Sequence, residues 1–300
     1  MSRKRKTNQI KIALIQAKAS EDSRLNLYRT LEKIKKASER GAKLICLQEL
    51  FCSRYFPQIK DRRYFKLAEP ASNFMTKVLT QIAKEEKVVL IVPFFEFVPR
   101  GTYYNSAAVI DADGKTLGVY RKTHIPYDPG FYEKFYFKPG NSGYKVFKTK
   151  YANISVLICW DQWFPEAARA AALRGADIIF YPTAIGWNKK GGRHREEEAA
   201  WQTIQRSHAI ANGVYVASAN RVGVEKNLTF WGQSFVSDPF GTLIAKAGAA
   251  KEEILFADCD LSKIDQTRKV WPFFRDRRVD AYQSLRGLAA KRPGRSNLRT

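Results

Sequence analysis

Cysteine and histidine are scarce in this 300-residue chain, with four cysteines and three histidines. Cys46, Cys52, Cys159 and Cys259 form no CxxC pair and stand beside no histidine cluster, so neither a disulfide frame nor a zinc site is indicated. Long apolar runs are lacking as well: the longest, such as Val88–Val92 before Pro93, are strand-sized and far short of a membrane span. The basic N-terminus Met1–Lys6 is followed by no apolar signal-peptide region, because Lys11 and Gln16 interrupt Ile10–Ala17. A cytoplasmic address is the expectation. No internal linker interrupts the chain, and 45% hydrophobic content supports one sizeable core. We expect a basic extension over 1–8, a single domain over 9–285 and a basic tail over 286–300.

Acidic residues are outnumbered 29 to 52 by lysine and arginine, which leaves a net charge of +23. Part of it lies in the termini, at Arg3–Lys6 and at Lys291, Arg292, Arg295 and Arg299. Such tails can hold nucleic acid non-specifically and in a salt-dependent way. No helix-turn-helix, RRM, KH or zinc-finger pattern makes such binding specific, and a solvated basic surface accounts for the charge equally well.

What is present is a cysteine at an elbow. Ile154–Ile158 reads as a buried strand, and Pro165 stands where a first helical residue is favoured, opening a helix over Glu166–Arg174. Cys159 lies between them. A helix N-terminus nearby would favour its thiolate, the form that acts as a nucleophile; a buried structural cysteine is the competing reading.

The rest of the chain supplies partners. Ile10–Ala17, the helical pattern Asp22–Arg40 and the strand Lys43–Gln48 open a βαβ unit, with Glu49 past the strand's C-terminal end, where ligands of α/β proteins collect. The apolar flank Leu50-Phe51-Cys52 would desolvate that carboxylate. A helix over Ala71–Lys87 precedes the strand Val88–Val92. A hairpin of Asn105–Asp111 and Lys115–Arg121 ends beside Lys122. An aromatic loop punctuated by Pro and Gly follows, from His124 to Gly140, of the kind that binds ligands, and it carries Glu133. Beyond the elbow come a strand Asp177–Pro182, a helix from Glu196 to Asn212 and a strand Val214–Ala219. A second hairpin about Asp238–Gly241 and a strand Ile254–Asp258 complete the pattern. Each half crosses strands with helices and closes with a hairpin, so two similar sheets packed face to face with helices outside are expected. From Leu261 on, a short helix and basic tail are suited to crossing to a neighbouring subunit.

Glu49, Lys122 and Cys159 each lie just past a strand or hairpin arm, and they are the types that amide hydrolysis by a thiol requires. The thiolate attacks, a carboxylate carries the proton to the leaving amine, and a cation with a backbone N–H holds the oxyanion. The trio, in this order, resembles the nitrilase, or carbon–nitrogen hydrolase, superfamily from about Ile10 to Leu285. The matching pieces are LICLQELF around Glu49, YRKTHIP around Lys122 and LICWDQWFPEAARAAALRGADIIFYPTAIGW around Cys159. Within it, CWDQWFPEAAR, FYPTAIGW and FYEKFYFKPG most resemble the N-carbamoylputrescine amidohydrolase branch, which releases putrescine, carbon dioxide and ammonia. The resemblance implies Cys159 as nucleophile, Glu49 as general acid/base, Lys122 as oxyanion cation and the Trp160 backbone N–H as second donor. It implies Glu133 as the glutamate that positions Lys122 and the attacking water. It further implies a four-layer αββα sandwich of two mixed sheets, assembly into homodimers or higher homo-oligomers, and no metal or organic cofactor.

Relatives acting on carboxylate-bearing carbamoyl amino acids place arginine shortly after the nucleophile, where this chain has Gln162 and Trp163, and that favours an uncharged or cationic substrate tail. Asp128, Glu196 and Glu197 are candidates to meet an ammonium, with Tyr127 or Trp187 as a cation–π partner. The loop Trp187–Arg195 is basic for such a pocket mouth. A β-ureidopropionase-like or ω-amidase-like enzyme, or a nucleic-acid-binding protein on an inactive hydrolase fold, are the alternatives. His208 is expected to be a core or supporting residue rather than the base for Cys159, and Asp161 to bond local backbone.

Overall fold

A computed structural model describes residues 8–188 and 194–286. The tails and Lys189–Arg193, most of the basic loop, lie outside the described residues. The first half of the chain runs β1 (Gln9–Gln16), α1 (Ser23–Glu39), β2 (Leu44–Leu47), α2 (Phe74–Glu86), β3 (Val89–Val98), β4 (Thr102–Ile110) and β5 (Thr116–Arg121). The second runs β6 (Phe147–Lys148), β7 (Asn153–Val156), α3 (Pro165–Leu173), β8 (Ile178–Thr183), β9 (Gly186–Asn188), α4 (His194–Asn212), β10 (Tyr215–Asn220), β11 (Val222–Glu225) and β12 (Leu228–Trp231). It ends with β13 (Phe235–Ser237), β14 (Leu243–Lys246), β15 (Glu253–Asp260) and α5 (Ser262–Val270).

Two six-stranded mixed sheets form, in the orders β15-β1-β2-β3-β4-β5 and β14-β13-β10-β8-β7-β6. Successive side chains of a strand point to opposite faces, and the first sheet shows what that alternation does. Ile12, Leu14, Leu44, Cys46, Val89 and Ile91 join the core shared with the second sheet. The intervening Ala13, Ile15, Ile45, Leu47, Leu90 and Val92 pack instead with Ile34, Ala37, Leu79 and Ile82 of α1 and α2. On the second sheet, Ile179, Tyr181 and Val216 share the face turned away from the first sheet, and Ala167, Ala168, Ala171 and Ala172 of α3 belong to the same core cluster. The small side chains let α3 lie close to the strands. The result is the expected four-layer arrangement of helices, sheet, sheet and helices.

The internal symmetry read from the two hairpins holds in the pairing. From β15 to β5 the neighbours pair antiparallel, parallel, parallel, antiparallel, antiparallel. From β6 to β14 the series is the same. One departure is β15, which leaves the second half and pairs with β1 of the first, Gln9 opposite Asp260 and Gln16 opposite Glu253.

Two elements differ from the sequence-based expectation. The strand from Val89 continues through Pro93 to Val98. Its parallel pairing with β2 stops at Ile91, so the N–H that Pro93 lacks is not needed on that side. A third, three-stranded sheet, in the order β11-β12-β9, was not legible at all. Its hairpin turns at Lys226, which takes a left-handed φ of 55° without the glycine that marks such turns. Among the described residues, no helix is long and apolar enough to cross a membrane.

The aromatic loop is locked to the hairpin by Gly140, whose N–H donates to the carbonyl of Lys122 at 2.7 Å. A Cβ there would fall 2.1 Å from the Arg121 carbonyl oxygen and 2.8 Å from that of Lys122. Gly140→Ala is therefore expected to lower stability by about 1–3 kcal/mol, read by denaturant unfolding. An unchanged midpoint would show that the loop shifts freely.

Candidate active site

Cys159 follows β7 and opens a 3-10 turn over Cys159–Trp163, with Pro165 at the first position of α3 as expected. Its φ is +42°, a left-handed backbone that a side chain rarely adopts. Asp161 stabilises this elbow. Its Oδ2 accepts from the Ile158 N–H at 2.9 Å and from the Tyr120 hydroxyl at 2.7 Å, and its Oδ1 accepts from the His124 N–H at 2.9 Å. It is a structural acceptor, as its position suggested.

The thiolate-favouring helix terminus is not realised. The 3-10 turn intervenes before α3, and Cys159 is buried, so burial first and the Glu49 carboxylate second push its thiol well above the usual range. Lys122 and a hydrogen bond from the Ala184 backbone pull the other way without overcoming them. The resting group is a thiol that needs a base.

Two strand ends and the aromatic loop bring that base and its cation together. Glu49 follows β2, Lys122 follows β5, and Glu133 lies in a 3-10 turn of the aromatic loop, all three fully or almost fully buried. Lys122 Nζ donates to Glu49 Oε1 at 2.9 Å and to both Glu133 oxygens, at 2.9 Å and 2.7 Å. Burial alone would discharge the lysine; Glu133, Glu49 and Cys159 outweigh it and hold the ammonium above its ordinary range. Glu133 is raised by burial and by Glu49, against the pull of Lys122.

Two further residues, absent from the sequence reading, complete the cluster. Asn105 donates to Glu49 Oε1 at 2.7 Å, and the Tyr55 hydroxyl donates to Glu133 Oε1 at 2.6 Å. Neither carries a local signal: Asn105 reads as a hairpin residue and Tyr55 as one aromatic among many. Glu49 Oε2 is buried with no hydrogen-bond partner. An orphaned acceptor of this kind costs about 1–3 kcal/mol and is free to receive a proton.

A cavity of about 410 Å³ opens onto this cluster, lined at its buried end by Cys159 and Glu133. Glu49 and Lys122 sit behind those two. Trp160, Trp163, Trp187 and Trp231 form walls, and the exposed Asp128 and Glu197 stand at the rim. No lysine or arginine is among the described lining residues. Two of the expected binding residues lie elsewhere. Tyr127 turns outward, edge-on to Tyr132 and with Lys60 over its ring, and is 47% exposed. Glu196 is exposed and does not line the cavity, because one step along α4 rotates it away from the face that Glu197 presents. Gln162 is also absent from the lining: its Oε1 accepts from Trp201 Nε1 at 2.8 Å inside the core. His208 Nε2 bonds the Gln162 carbonyl at 2.8 Å and its pKa is lowered by burial, which keeps it neutral and supporting. Among the described residues, no group of three or more His, Cys, Asp or Glu could hold a metal ion.

A thiol at the floor of one cavity, with an unpartnered carboxylate oxygen and a fixed ammonium in the cluster behind it, forms the set a thiol-dependent hydrolase uses. The carbon–nitrogen hydrolase family model matches residues 11–269, and the chain belongs to that family, the nitrilase superfamily. It is 44% identical to an N-carbamoylputrescine amidase of Solanum tuberosum, over 96% of this chain and 98% of the relative. It is 41% identical to a citrullinase of Francisella tularensis, over 92% of this chain and 98% of the relative. The crystal structure of a carbon–nitrogen hydrolase from Helicobacter pylori G27 superposes with a TM-score of 0.89 at 41% identity, covering 92% of this chain and 98% of that one.

Two outcomes follow from the electrostatics. The parent protein should show no ultraviolet thiolate absorbance at neutral pH beyond that of Cys159→Ser, since burial holds the proton on sulfur; a thiolate band would contradict this. Lys122→Met leaves two carboxylates facing each other and should cost about 3–5 kcal/mol. The folded variant would hold protons that the unfolded chain has released. Its loss should therefore be largest at neutral pH and shrink as the pH falls into the carboxyl range, as measured by unfolding at several pH values.

Proposed function

We propose that this carbon–nitrogen hydrolase cleaves the terminal ureido group of a linear substrate with a cationic tail, N-carbamoylputrescine being the compound that fits best. The observation that carries the reading is the cavity's polarity. Its buried end holds Cys159 and Glu133, its rim holds Asp128 and Glu197, and its described lining has no cation to receive a carboxylate. A ureido group at the floor places an ammonium at the rim. The Solanum relative and the Francisella citrullinase are both named for substrates with a ureido end and an amine. Only citrulline adds a carboxylate, which the described lining leaves unmatched.

In this reading Cys159 is the nucleophile. Glu49 Oε2 takes the thiol proton as sulfur bonds to the ureido carbon, and the oxygen that gains charge is met by Lys122 and the Trp160 backbone N–H. An ammonium has three donors, which in the resting site face Glu49 Oε1 and both Glu133 oxygens; the developing oxyanion takes over one of the two directed at Glu133, which keeps the other. Glu49 then protonates the departing nitrogen as the C–N bond breaks. Water, positioned by Glu133 and deprotonated by Glu49, displaces the sulfur from the carbamoyl carbon, and the carbamate released decomposes to carbon dioxide and amine. Self-association belongs to the same reading: the exposed Val270, Trp271 and Phe273 offer an apolar face that a second copy would cover.

Incubation with N-carbamoylputrescine should release ammonia, and Cys159→Ala should abolish the release. Asp128→Asn with Glu197→Gln should raise KM about 3- to 10-fold, the scale of one or two exposed charge contacts, with kcat unchanged. Turnover of N-carbamoyl-β-alanine or a simple ω-amide in its place would leave the hydrolase chemistry standing and overturn the cationic tail.

A further inference from the structure

Arg221 is fully buried at the end of β10, on the opposite sheet from Glu49, and takes no part in the chemistry just described. Its Nη2 donates to three backbone carbonyls of the turn that follows β2: Glu49 at 2.8 Å, Leu50 at 3.0 Å and Ser53 at 3.2 Å. Leu50 within that turn has a φ of +49°, which a leucine adopts only under outside constraint. Arg221 Nη1 donates to Glu225 Oε1 at 2.7 Å, and Glu225 Oε2 accepts from the Tyr55 N–H at 2.6 Å. Tyr55 in turn donates its hydroxyl to Glu133. The guanidinium is flanked by Phe230, 5.2 Å from the ring centre.

One planar fork therefore fixes both carboxylates that flank Lys122. It grips the backbone of Glu49 directly, and through Glu225 and the main chain of Tyr55 it sets the hydroxyl on Glu133. We propose that Arg221, with Glu225, is a positioning residue for the hydrolysis, holding Glu49 and Glu133 in register with Lys122 and Cys159. Lysine cannot replace it, because one ammonium cannot face three carbonyls and a carboxylate in the same plane. The strap also joins the two halves of the chain, so the base from the first sheet is held against the nucleophile from the second.

The assignment rests on Glu49 serving as the base but not on the identity of the substrate tail, and its test is built to match. Alkylation of Cys159 by iodoacetamide, corrected with Cys159→Ala, reads the thiol–Glu49 relation without turnover. In Arg221→Lys the rate at neutral pH should fall at least 10-fold and its acidic limb should move. On any ureido or amide compound the parent hydrolyses, kcat should fall about 100-fold, the scale of an ångström-sized displacement, with KM within about 3-fold. Millimolar guanidinium should restore part of the rate to Arg221→Ala. Glu225→Gln keeps an acceptor for the Tyr55 N–H and serves where the arginine variants do not fold; it should show the same limb shift and a smaller kcat loss. A folded variant with parental alkylation profile and kcat, altered only in melting temperature, would overturn the proposal and leave Arg221 as a structural tie. A parent that is silent on N-carbamoylputrescine while alkylation still responds would count against the substrate alone.

Discussion

A single buried ammonium organises this molecule. Lys122 could not stay charged at a site this enclosed without Glu49 and Glu133 on either side, and it supplies the counter-charge for two buried carboxylates. Because removing Lys122 leaves two buried carboxylates with no counter-charge, the elements that carry the three have little freedom of position. The hairpin β4–β5, the turn after β2 and the aromatic loop must meet at one point. The second sheet must then bring Cys159 to the same place. The four layers are the scaffold that meets those demands with a core of ordinary aliphatic alternation.

The residues that do the chemistry were legible because each sits at a place the chain marks locally. Glu49 ends a buried strand, Lys122 ends a hairpin arm, Cys159 stands at an elbow before Pro165, and Glu133 lies in a loop too aromatic to be a mere connection. The residues that hold them were not. Asn105, Tyr55, Arg221 and Glu225 reach Glu49, Glu133 and Tyr55 across 56 to 172 positions, and nothing in a polar residue at a strand end announces such a partner. The protonation state of Cys159 was misjudged for the same reason, since it depends on depth and on a distant carboxylate rather than on the helix that follows. At the rim, composition could name three acids, but only the turn of α4 decides that Glu197 and not Glu196 faces the cavity.

The surface and the site carry opposite charge. The chain carries a net +23, while the cavity rim offers Asp128 and Glu197 among the described residues. Beyond a Debye length of about 8 Å at physiological salt, an approaching cation senses little of the former. Within it, the described lining offers the carboxylates of Asp128, Glu133 and Glu197 and four tryptophan rings. A repulsive exterior therefore slows arrival at low ionic strength more than it weakens binding, and rate constants for capture should depend on salt in the direction opposite to that for an anionic substrate.

The pairing of β15 with β1 has a temporal meaning. The strand β1 finds its outer neighbour only in residues 253–260, so during synthesis β1 presents an open, apolar edge until those residues have left the ribosome. Contacts between segments so far apart form slowly, and an unpaired edge of this composition invites pairing with other chains. Closure of the first sheet is thus a late event of biogenesis. A nascent chain that already holds its cysteine therefore lacks the outer neighbour of β1, the strand beside the one that leads to Glu49, until residues 253–260 are made.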